Sequence, residues 1–62
     1  KISEAMDVMK RGEDLLPFDP RIKIALGDLY EKQGVLYKAK DKYEQALIVD
    51  PGNKRAQSRL NQ

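Results

Sequence analysis

The sequence predicts an all-α fold made of short antiparallel helices, and three observations carry that prediction. Leu26-Gly27, Tyr30, Ala39, Tyr43 and Ala46 alternate small and bulky side chains at steps of three and four, the step that keeps residues on one face of a helix. The segments bearing them stop at Pro17, Gly34 and Pro51, residue types that end helices. Finally, Ala5, Met9, Gly12 and Pro17 each stand 34 positions ahead of Ala39, Tyr43, Ala46 and Pro51. A recurrence of that length holds a pair of helices.

Ser3 is expected to cap a first helix that runs to about Leu16, with Ala5, Met6, Met9, Gly12, Glu13 and Leu16 on its three-and-four lattice. Pro17 ends it. Asp19 can offer its carboxylate to the free amides of a second helix, where Pro20 at the first position forfeits no internal hydrogen bond. That helix should run from Pro20 to Gln33, burying Ile22, Leu26, Leu29, Tyr30 and the stem of Gln33, with Gly27 admitting a neighbour closely. Gly34 can close it in the left-handed conformation. The turn left after Gly34 is short, so the third helix, from about Leu36 to Val49, must return antiparallel. Its contact stripe is expected to hold Leu36, Ala39, Tyr43, Ala46, Leu47 and Val49. Asp50-Pro51-Gly52 breaks the chain again, and Asn53 can cap a short fourth helix with Ala56 and Leu60 as its apolar edge.

Composition narrows the functions. With 62 residues the chain can build one small core. It has no Cys and no His, so disulfides, imidazole bases and the usual zinc sites are outside its inventory. The expectation is a protein that is not an enzyme and uses no cofactor or metal. The formal charge of +2 is unevenly spread: net −2 over residues 1–19, +1 over 20–34 and +3 over 35–62. The single Phe and three Tyr sit at core spacing and no Gly-rich loop is present, so nucleic acid is not the expected partner. No apolar run approaches the ~20 residues that span a bilayer; a soluble segment with no membrane insertion is expected, cytoplasmic by default. A chain that opens on Lys1 and ends inside a fourth helix is expected to be a piece of a larger protein.

Taken together, these residues resemble the tetratricopeptide repeat, a two-helix unit of 34 residues that stacks into an α-α superhelical solenoid. Residues 20–53 match one whole unit, through Leu26-Gly27, Tyr30, Gly34, Ala39, Tyr43, Ala46 and Pro51. Residues 1–19 match the second helix of a preceding unit, with Gly12 where the family usually has Ala, and residues 54–62 the opening of a following one, Leu60 taking the place of Leu26. Lys23 stands where the family often has a large aromatic, which should expose or loosen that end of the packing. The eight matched residues have structural roles in this reading: Gly27, Ala39 and Ala46 let helix axes approach to ~8–10 Å, and Tyr30 and Tyr43 fill the gaps, their hydroxyls reaching water or a backbone carbonyl at the rim.

The resemblance implies a protein-binding or assembly scaffold whose first helices line a concave face for a peptide or protein. The residues it puts there are Arg21, Ile24, Asp28 and Glu31, continued by Arg55, Ser58 and Gln62. Ile24 is either an exposed anchor or covered by a preceding first helix. A subgroup of the family clamps a terminal carboxylate with Lys and Asn; here those slots hold Ile24 and Asp28, and Asp28 should repel a carboxylate. Asp28 and Glu31 also form an acidic pair on one helix face, a pattern able to serve acid–base or metal chemistry, but no enclosing loop is available to dehydrate it. The alternative function is structural: a stacking spacer, or a module that associates with another copy of itself.

Overall fold

Local chemistry sets the ends of each helix. In a computed structural model, which describes residues 1–61, the chain forms α1 (Ile2–Leu15), α2 (Pro20–Gln33), α3 (Leu36–Val49) and α4 (Lys54–Leu60). Helix is the only regular secondary structure among the described residues. The Asp19 carboxylate accepts the Arg21 amide at 2.9 Å at the start of α2, and Asn53 Oδ1 accepts the Ala56 amide at 3.0 Å at the start of α4. The two caps lie 34 positions apart, like the residues that marked the recurrence. Gly34 closes α2 with φ of 79°, where a side chain would be strained, and the Val35 amide reaches back to the Tyr30 carbonyl at 2.9 Å.

Ser3 does not cap α1. The helix is flanked by Lys1, whose carbonyl already accepts the Ala5 amide at 3.1 Å, so Ser3 lies inside the first turn. A residue with helical backbone angles cannot turn its hydroxyl onto the free amides ahead of it.

The principal contacts join consecutive helices, α1 to α2, α2 to α3 and α3 to α4, with the α2–α3 pair the most extensive. Its core holds Ile24, Ala39, Tyr43 and Ala46, to which α4 adds Ala56; Leu26 of α2 and Met6 of α1 are buried as well. At the crossing, a β-carbon on Gly27 would lie 2.5 Å from Cε1 of Tyr43 and 2.8 Å from Cδ1. Only hydrogen fits there. Gly12 is less constrained, since its β-carbon would meet Cδ1 of Ile22 at 3.3 Å.

Four expectations about burial fail, all at helix ends. Leu36 is 66% and Val49 37% exposed at the two ends of α3, and Leu16 and Gln33 are exposed where α1 and α2 end. Ile22 and Leu29 are half-buried, flanking the stripe instead of filling it.

Lys23 reverses the expectation of a loosened end: only 9% exposed, it is the buried charged residue of α2. Its ammonium donates to Oε2 of Glu13 at 2.7 Å, and Lys42 of α3 donates to the same oxygen at 2.7 Å. One carboxylate of α1 thus ties the next two helices. Partial burial opposes its ionisation, but the hydrogen bonds from Lys23 and Lys42 outweigh this and hold the Glu13 carboxyl below its usual range. A depressed carboxyl stabilises the fold above its unfolded pKa and loses that contribution as pH falls through its folded value. Glu13→Gln should therefore lower stability by roughly 1–2 kcal/mol at pH 7, the loss expected for a largely covered pair. In melting curves taken from pH 7 to pH 2, the gap between the two proteins should shrink below about pH 4. A gap of constant size down to pH 2 would contradict this account.

Candidate protein-binding groove

Asp28 and Glu31 lie three residues apart on α2 and Arg55 and Arg59 four apart on α4, so each pair projects from one face of its helix. The two faces meet. Arg55 Nη2 donates to Asp28 Oδ2 at 2.9 Å, Arg59 Nε lies 3.4 Å from Asp28 Oδ1, and Arg59 Nη1 lies 3.9 Å from Glu31 Oε1. From below, the Tyr43 hydroxyl donates to Asp28 Oδ1 at 2.6 Å. Burial of Tyr43, reinforced by its bond to Asp28 and by nearby Glu31, pushes its hydroxyl pKa well above the usual phenol range, so it remains a donor. This partner replaces the water or backbone carbonyl that sequence alone suggested.

Next to this network a groove of about 250 Å³ runs between α2 and α4, lined by Arg21, Ile24, Ala25, Asp28, Asn53 and Arg55. A depression lined by Asp28, Glu31, Lys32, Arg55 and Arg59 continues it. Four of the residues marked from sequence for the concave face, Arg21, Ile24, Asp28 and Arg55, therefore line one groove, and Glu31 borders the next. Ser58 is exposed on α4 and belongs to neither lining; Gln62 lies outside the described residues.

The roles of these residues differ from those expected. Ile24 is 5% exposed, packed with Ala39, Tyr43, Ala46 and Ala56, so the chain's own α3 and α4 help to cover it and it forms floor instead of a projecting anchor. Asp28 is not a free negative charge: a hydroxyl and two guanidinium groups surround it. The Arg21 side chain is 87% exposed and rests on Asp19 through Nε at 3.2 Å and Nη2 at 2.9 Å. Those bonds hold the Asp19 carboxyl below its usual range.

Of the eight residues given structural roles, Leu26, Gly27, Ala39, Tyr43 and Ala46 are buried, the last four of them at the α2–α3 crossing. Tyr30 is half-buried beneath the Lys38 ammonium, 5.7 Å from its ring centre. Gly34 and Pro51 are exposed in turns. Ala25, Lys32 and Asn53 were not marked for the groove from sequence. Arg55, by contrast, was marked, and it repeats Arg21 at the 34-residue spacing. Among the described residues no group of three or more acidic, His or Cys side chains could hold a metal, and no helix is long and apolar enough to cross a membrane.

No protein-family model matches the chain. No solved structure matches it. Among characterised proteins it is similar to protein adenylyltransferase fic-1 of Caenorhabditis elegans, with 36% identity over 55 residues, which are 89% of this chain and 11% of that protein. The chain thus spans about a ninth of that relative, and its described residues form four α-helices packed in sequence.

Proposed function

We propose that this chain is a tetratricopeptide-type module that binds a peptide or a segment of a protein in the groove between α2 and α4. The observation that carries the reading is that the chain's own side chains hold the groove in shape: Asp28, engaged by Tyr43, Arg55 and Arg59, ties α2 to α4 along it. A groove already in place avoids the ordering cost that a flexible site incurs on binding. The 34-residue recurrence, the paired caps Asp19 and Asn53, and the Gly27–Tyr43 crossing support the repeat assignment. Likeness to a short stretch of an adenylyltransferase fits a binding part carried beside a catalytic part of a longer chain. In this reading the segment itself contributes recognition and no catalytic step.

A second reading, a stacking spacer or self-associating module, draws on the large apolar side chains left exposed: Leu15, Phe18, Leu36, Tyr37 and Ile48. Selection of binders from a displayed random-peptide library separates the two. Under the groove reading, peptides are enriched and lose at least tenfold in affinity to Ala25→Trp, which fills the groove while helicity stays unchanged. If no enriched peptide responds to Ala25→Trp, the groove reading fails and the spacer is favoured.

A further inference from the structure

We infer that the segment received between α2 and α4 is acidic, its carboxylates meeting Arg21 and Arg55; this rests on the groove reading above and specifies its partner. The argument is one of unequal exposure. Arg21, Lys32, Arg55 and Arg59 border the groove and its continuation, and the acids facing them are Asp19, Asp28 and Glu31. Numbers nearly balance, but positions do not. The carboxylate side chains are only 14%, 20% and 29% exposed, whereas Arg21 is 87% and Arg55 65% exposed. Negative charge is therefore turned inward against its partners, and positive charge stands at the rim, where an arriving chain meets it first.

The guanidinium groups also keep unused donors. A guanidinium carries five N–H groups in a planar fork that matches a carboxylate. Arg55 donates one of them to Asp28, and Arg21 commits Nε and Nη2 to Asp19. Each has donors left for an incoming oxygen. Arg21 and Arg55 lie 34 positions apart, so the same cation recurs on corresponding turns of α2 and α4. Ile24 and Ala25 between them offer an apolar floor suited to the side chains of a protein segment. A nucleic acid is disfavoured, because its phosphate track gains most from long runs of cations, whereas here Asp28 and Glu31 interrupt the row.

The test uses a fluorescein-labelled octaglutamate peptide, with octaglutamine and a labelled eight-nucleotide oligothymidine as companions, titrated by anisotropy at low salt. Octaglutamate should bind, and octaglutamine should not. Arg21→Gln with Arg55→Gln, checked for unchanged helicity, should weaken octaglutamate at least fivefold, while Lys10→Gln with Arg11→Gln, an equal change of charge on exposed α1 positions, leaves it unaltered. Equal weakening by both pairs, or tighter binding of oligothymidine than of octaglutamate, overturns the inference. If library-selected neutral peptides respond to Ala25→Trp while octaglutamate does not bind, the acidic partner is refuted and the groove reading stands.

Discussion

Tyr43→Ala should cost the fold about 4 kcal/mol, within the ~3–5 kcal/mol seen when a buried aromatic is cut to a methyl. Chains of this length have on the order of 3–9 kcal/mol in total, so the variant should lose roughly half or more of its stability, read as a much earlier melting transition by far-ultraviolet circular dichroism. The ring fills the space that Gly27, Ala39 and Ala46 leave, and its hydroxyl holds Asp28 from beneath. Tyr43→Phe separates the two roles. It retains the filling and deletes the donor, for an expected loss of about 1 kcal/mol, since Asp28 keeps Arg55 and Arg59. Near-equal stability of Tyr43→Ala and the native chain would mean that the α2–α3 crossing is not the core.

Gly27→Val should destabilise by about 3 kcal/mol, at the upper end of overpacking costs. Its β-carbon would fall 2.5–2.8 Å from three atoms of the Tyr43 ring. That ring cannot swing aside, being 2% exposed and tied at its hydroxyl. The helices must separate instead, and every contact between them loosens together. Gly27→Ala should be milder, because alanine regains about 1 kcal/mol of helix propensity. With ~4–8 °C per kcal/mol for a small domain, the valine variant should melt roughly 12–24 °C lower. Combining Gly27→Ala with Tyr43→Ala should cost less than the two losses added, since the new methyl enters the space the ring vacates. A valine variant that melts with the native chain would place the two helices further apart than described.

Helix ends were legible because their causes are local. Asp19-Pro20, Gly34 and Asn53 each act on amides or backbone angles within a few residues, and α2 begins and ends, and α4 begins, where those residues put them. The close crossing was legible too, since Gly27 and the alternation around Tyr43 have few other uses. What escaped depends on partners distant in the chain. Lys23 is covered because Glu13, ten residues earlier, meets its ammonium; no periodicity announces that. Asp28, read as a free acid facing a ligand, is engaged by residues 15 and 27 positions away. Leu36 shows the converse case. It has the spacing of a core residue but opens α3, where its side chain stays 66% exposed.

Phe18 and Ile48 sit in the open beside Pro17 and Val49, and neither obeys the 34-residue recurrence, for their counterparts are Gly52 and Asp14. A side chain needed for every helix pair to nest would be copied with the pair. These two were not, so the rules of stacking do not account for them, and they give this one stretch of chain an individual greasy signature that duplicated modules would lack.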